Sequence, residues 1–259
     1  MKRIAPEIFL LITLILMLSC SPMVFPTPGL AECPQKEKIQ QGLQRAFPKL
    51  QFELVKISPS EARDLCQVEI KTGGRHHLIY TDRRGDFVLT GNLHEVKTGK
   101  NLTQENLLSL NRLTPEDLRQ LESLTAFSLG KGKKMVFLIT DPQCPFCKQA
   151  ETLLKKLVEK EDIQVRFILF PLESYKGSKE QCISVICDNK GIEGFDSGYR
   201  SDNQCPEGIK KIENAAAFML KKGINSTPTL VFADGLYLSG LPSEEALRSR
   251  LGVGKGSSK

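Results

Sequence analysis

The feature that most restricts this chain is a pair of cysteines, Cys144 and Cys147, set where the hydrophobic rhythm changes. Before them, Met135 to Ile139 is an unbroken apolar run, bounded by Gly130, Gly132 and Asp141-Pro142. Its β-branched and aromatic members suit a strand buried on both faces. After them, Ala150, Leu153, Leu154, Leu157 and Val158 recur at helical spacing. Ile163 to Phe170 is a second buried-strand run, stopped by Pro171. Strand, helix and strand at this spacing make a βαβ unit, whose strands pair in parallel.

Cys144 therefore falls at the head of a helix. Unpaired N–H groups and the helix dipole there favour a thiolate, the form of sulfur that attacks disulfides. An exposed sulfur is expected at Cys144. Cys147, one turn further in, is expected to be less exposed and placed to resolve a mixed disulfide. Pro145 supplies no N–H and fixes the first turn. Two blander readings stand beside this one. The pair could be half of a zinc site with Cys182 and Cys187, although strand-to-helix placement and Pro145 weigh against it. It could also form a purely structural bond, although so tight a ring restrains the unfolded chain little.

The cysteines need a compartment, and the N-terminus suggests one. Lys2 and Arg3 precede the apolar run Ile8 to Leu18, and residues 19–31 are small, polar and proline-rich. This is the layout of a secretory signal, too short to span a bilayer. Cleavage after Ala31 is expected. The alternative is a lipoprotein signal with Cys20 lipidated, a motif that Leu18 fits poorly. Outside the cytosol cysteines tend to pair or to do redox work. Of the 8 present, seven remain without Cys20, so at least one stays unpaired within the chain or bonds another molecule. Cys33 and Cys66 could staple the N-terminal region, but connectivity is not readable from sequence. The net charge of +6 comes from lysines and arginines scattered among acids. No basic arm or aromatic–basic interleaving points to nucleic acid.

Residues 32–100 read as a small α+β unit. Ile39, Leu43 and Phe47 mark a helix face ended by Pro48, and Leu50, Phe52 and Leu54 alternate as a strand. The series Cys66, Val68, Ile70 is a second strand, and runs 78–81 and 87–90 form a hairpin about Asp82 to Gly85. The unit is thin and is expected to lean on a partner surface or a staple. His76, His77 and His94 read as ordinary surface or edge residues. Leucines through 101–125, with a fresh start at Thr114-Pro115, suggest a helical connector, or helices that belong to a neighbouring core. Residues 126–252 carry the βαβ unit, a helix over Ile209 to Leu220, a hairpin about Asp234-Gly235 and a last helix capped by Ser243. The tail 253–259 is expected to be disordered.

Thr140-Asp141-Pro142-Gln143-Cys144-Pro145-Phe146-Cys147 resembles the active-site segment of the bacterial periplasmic disulfide isomerases, the DsbC/DsbG family, and Ser226-Thr227-Pro228-Thr229 followed by Asp234-Gly235 extends the likeness. The resemblance implies an α/β thioredoxin fold with a helical insertion, preceded by a small cystatin-like dimerisation domain and a helical linker. It implies a cis Pro228 against the dithiol with Thr227 flanking it, and a structural disulfide between Cys187 and Cys205. Cys182 departs from the family pattern; it could compete for Cys205 or stay buried. The implied activity is rearrangement or reduction of non-native disulfides in unfolded or misoxidised exported proteins. The implied setting is a periplasmic homodimer kept reduced by a membrane thiol–disulfide donor of DsbD type, with no cofactor and no metal. Pro-Phe between the cysteines differs from the Gly-Tyr of many isomerases. A specialised reductase for one partner and a holdase-like chaperone are therefore kept as alternatives.

Overall fold

The computed structural model describes residues 32–254. The expected signal segment 1–31 with Cys20, and residues 255–259 of the tail, lie outside the described residues. Among those described, no helix is long and apolar enough to cross a membrane.

The N-terminal unit is one helix on an antiparallel sheet. Helix α1 (Lys36–Ala46) turns Ile39 and Leu43 onto β1 (Glu53–Pro59), β2 (Leu65–Thr72) and β3 (Arg75–Asp82), with β4 (Val88–Leu89) at the far edge. The four strands run in sequence order, each antiparallel to the next. The core is small: Ile39, Leu43, Leu54, Val68, Ile70 and Ile79. A Cys33–Cys66 disulfide (2.07 Å) ties the segment ahead of α1 to β2. Two local readings of the sequence shift here. The first strand starts at Glu53 rather than Leu50, because Leu50 N–H bonds back to the Phe47 carbonyl (3.0 Å) in the turn that closes α1. Phe47 caps the helix and stays exposed instead of joining the core. His76 is no ordinary surface residue: its Nδ1 lies 2.6 Å from Glu69, its diagonal neighbour on β2. That acid lies on the neighbouring strand and is brought to His76 by the register of the β2–β3 hairpin.

Two short helices follow. In α2 (Leu102–Leu110) the Asn101 side chain accepts the Gln104 N–H, and in α3 (Pro115–Leu124) Thr114 and Asp117 cap each other reciprocally. Between them Asn111 clamps β3, accepting the His76 N–H (2.9 Å) and donating to the His76 carbonyl (3.0 Å). The second helix is more than a connector. Leu121 and Leu124 pack with Phe137, Ile168 and Phe218 in the core of the next unit.

That unit is a thioredoxin-type sheet, ordered β5-β7-β6-β8-β9, with β5 at Phe127–Leu129, β6 at Lys134–Thr140, β7 at Ile163–Leu169, β8 at Thr229–Phe232 and β9 at Tyr237–Ser239. β6 and β7 pair in parallel, as the βαβ spacing requires, and the other pairings are antiparallel. Successive side chains on a strand face opposite ways, so β6 feeds two cores. Val136 and Leu138 meet α4 (Pro145–Lys160) and α8 (Glu244–Leu251) through Leu154, Leu157 and Leu247. Phe137 and Ile139 meet α3 and α7 (Pro206–Lys221) on the other side. Between β7 and α7 lies a helical insertion of α5 (Ser178–Cys187) and α6 (Gly191–Ser197), packed through Cys182, Ile183, Phe195 and Ile212. A Cys187–Cys205 disulfide (2.05 Å) ties α5 to the start of α7. On the chain-entropy model its loop contributes about 3 kcal/mol. Asp188 gathers the loop between them, accepting from Tyr199, Ser201 and Asn203.

Candidate active site

β6 ends at Thr140 and α4 begins at Pro145, so the turn between them decides where Cys144 points. Asp141, fully buried, holds that turn: its carboxylate accepts the Gln143 N–H (2.7 Å) and the Leu172 N–H (2.7 Å), and its carbonyl accepts the Cys144 N–H (3.2 Å). Cys144 becomes the N-cap of α4 and its carbonyl receives the Lys148 N–H (3.2 Å). From 83 residues away comes the loop ahead of β8. Its Thr227–Pro228 peptide is cis, and the Thr227 carbonyl lies 3.7 Å from the Cys144 sulfur. The Thr227 hydroxyl is buried beside the two sulfurs.

Cys144 and Cys147 are free thiols here, as is Cys182. Burial alone would push the Cys144 thiol up. The Cys147 N–H and thiol, the Thr227 side chain and the Tyr175 hydroxyl outweigh it and hold Cys144 below the ordinary thiol value. Cys147 goes the other way. Burial pushes it up to about 12, against the lowering influence of the Thr140 and Thr227 hydroxyls. One sulfur that ionises early beside one that keeps its proton is an arrangement that can open a disulfide and then let go of it.

The expectation of an exposed Cys144 needs correction. The residue is only 3% accessible, because the Thr227 loop and Tyr175, on the loop after β7, roof the helix head. The neighbouring Phe146 is 60% exposed. Cys147 is fully buried. Cys182 is buried in the insertion, its thiol driven up by burial, and it is apart from the Cys187–Cys205 bond. That bond also removes Cys187 from the zinc quartet weighed above. Two residues at the site escaped the sequence reading. Tyr175 lies on a loop without periodicity. Glu151 carries no local signal of burial, yet it is buried, and its Oε1 accepts the Thr140 hydroxyl at 2.8 Å.

Comparison with known proteins adds two family models. Residues 30–104 match the disulfide bond isomerase protein N-terminal domain, and residues 125–253 match a thioredoxin-like domain. The chain is 27% identical over 226 residues to the probable thiol:disulfide interchange protein DsbC of Bordetella avium, covering 84% of this chain and 75% of that one. It is 24% identical over 190 residues to the thiol:disulfide interchange protein DsbC of Dickeya dadantii, covering 70% and 75%. Among solved structures, the catalytic domain of Proteus mirabilis ScsC overlays with a TM-score of 0.44 at 19% identity, covering 53% of this chain and 96% of that one.

Proposed function

The chain belongs to the DsbC-like family of thiol:disulfide interchange proteins, and from that premise we propose that it rearranges or reduces non-native disulfides in exported proteins through Cys144 and Cys147. The observation that carries this assignment of roles is the placement of the two sulfurs: Cys144 at the head of α4, 3.7 Å from the Thr227 carbonyl beside the cis Thr227–Pro228 peptide, and Cys147 fully buried in the first turn. The Cys144 thiolate attacks one sulfur of a client disulfide. A Cys144–client bond forms as the client S–S bond breaks, and the other client sulfur leaves as a thiolate. If that thiolate attacks a different disulfide of the same client and Cys144 is finally expelled, the client is isomerised with no net redox change. If Cys147 attacks Cys144 first, the client leaves reduced and the dithiol is oxidised. Pro228 in its cis peptide and Thr227 line the position that the client backbone would take.

Catalysis by the sulfurs alone asks for no cofactor. The reduced state needs a supply of electrons, and a membrane thiol–disulfide donor of DsbD type fits an exported enzyme working in the periplasm. The N-terminal unit would pair two chains. Its last strand, β4, is an edge, and Phe87, Leu89 and Val96 around it are exposed apolar side chains. Two copies joined there would set two dithiols about one cleft, a geometry suited to unfolded clients.

Replacing Cys147 with alanine removes the escape route while leaving the attacking sulfur. Expressed in a periplasm, this variant is expected to accumulate as mixed disulfides with many exported proteins, read by non-reducing gels and mass spectrometry. Capture of a single partner would favour the specialised reductase, and capture of none would refute the roles given to both cysteines.

A further inference from the structure

Cys144 is only 3% exposed, yet its thiolate must meet a client disulfide in line with the bond that it breaks. One of the two segments beside it has to move. The Thr227 loop is pinned on both sides: the Thr229 hydroxyl donates to the Ser226 carbonyl (2.8 Å), and the Pro228 carbonyl accepts the Gly240 N–H (2.8 Å). It runs directly into β8, which is buried along its whole length. The loop between β7 and α5 is different. Its Glu173, Ser174 and Lys176 are exposed. Its shape rests on turn bonds, from the Tyr175 N–H to the Leu172 carbonyl (3.0 Å) and from the Ser178 N–H to the Tyr175 carbonyl (3.1 Å). Exposed backbone with few buried contacts is where a fold opens locally.

Both ends of this loop are tied to the turn that carries Cys144. At its start the Leu172 N–H donates to the buried Asp141 carboxylate (2.7 Å). At its far end the Lys176 carbonyl accepts Gln143 Nε2 (3.3 Å), and the Gly177 carbonyl accepts Arg200 Nη1 (3.0 Å). Arg200 Nη2 donates to Oε1 of the buried Gln181 (3.1 Å), an oxygen that also receives Gln143 Nε2 (3.4 Å). The bonds from Arg200 are shorter and carry a charged donor, so the far end depends chiefly on that side chain. Gly177 permits the approach: its φ is 76°, and a Cβ there would stand 2.8 Å from Nη1. Holding α5 does not account for the arginine. Gly177 is the N-cap of that helix, and a positive group at a helix head opposes the dipole.

We propose that residues 172–177 form a lid over Cys144, and that Arg200 is the positioning residue that keeps it closed. This rests on the reading of Cys144 as the attacking sulfur. In the closed state the lid keeps Tyr175 beside that sulfur, where its hydroxyl helps to hold the thiol below the ordinary value. Released at the Arg200 end, the loop swings on the Leu172–Asp141 bond and uncovers Cys144 to a client disulfide.

The test follows alkylation of the full reduced chain by iodoacetamide, with adducts located by mass spectrometry. Rates are compared on the alkaline plateau of the pH profile, where the Cys144 thiol is fully ionised, so that access is read apart from acidity. In Arg200→Ala the plateau rate at Cys144 is expected to rise about tenfold, the scale of one hydrogen bond to a charged group lost from the closed state. Arg200→Lys, which can reach the Gly177 carbonyl but cannot span both acceptors, is expected to fall between the two. Cys182, inside the insertion, should stay unmodified in every variant. An unchanged plateau in Arg200→Ala overturns the proposal. So does modification of Cys182 in step with Cys144, which would make Arg200 a support of the whole insertion. A wild type whose first adduct is not at Cys144 would instead overturn the reading on which the proposal rests.

Discussion

Serine at position 144 is expected to abolish reactivation of scrambled ribonuclease, a loss of at least three orders of magnitude or so, the scale on which removing a covalent nucleophile registers. Serine keeps the N-cap geometry and nearly the same volume, so the fold about Asp141 and the cis Thr227–Pro228 loop should persist. What goes is the one sulfur whose proton is held loosely. Cys147 cannot replace it, being fully buried and pushed up to about 12, and Cys182 is sealed in the insertion. A variant that folds, shown by an unchanged circular-dichroism spectrum, and still reactivates ribonuclease would exclude Cys144 as the attacking group.

The second large effect falls on stability. Replacing Cys33 and Cys66 with serine opens a loop of separation 33, which on the chain-entropy model costs about 3.8 kcal/mol. Few contacts stand in reserve. The N-terminal core is six buried side chains under one helix, and a unit of that size is marginal without a staple. Amide exchange across β1 to β3 should therefore become faster by the corresponding factor, on the order of several hundred. Exchange in β6 to β8, anchored in two larger cores, should change far less. Equal protection of β1 to β3 in both proteins would mean that the disulfide is not what holds this unit.

The course from sequence to site shows where local pattern suffices. The apolar run at β6, the dithiol and the helical period of α4 are all contiguous, so a strand, a turn and a helix head follow from a dozen residues. Ser243 before α8 and Asp234-Gly235 between β8 and β9 are equally local signals. Other features depend on chain segments that meet only after folding. The roof over Cys144 comes from Thr227 and Tyr175, so helix position alone overstates its exposure. Glu151 carries a polar letter on a mixed face, and only β6 and α6 make it a core residue. β5 spans three residues, too few to express a period, and owes its existence to pairing with β7. Helix α3 has the leucines of a connector, yet Leu121 and Leu124 complete a core whose other walls are β6, β7 and α7.

Exchange at this site depends on the two sulfurs differing in acidity, with the helix-head sulfur the more acidic. Cys144 is lowered from 9.0 in the fold, so its thiolate is gained on folding and begins to be lost only as pH falls through that lowered value. Alkylating the reduced protein with iodoacetamide across pH and locating the adduct by mass spectrometry reads this directly. Modification is expected at Cys144, with a midpoint below 9.0, and Cys147 should remain unmodified throughout that range. Modification of Cys147 first, or a Cys144 midpoint at or above 9.0, would contradict it.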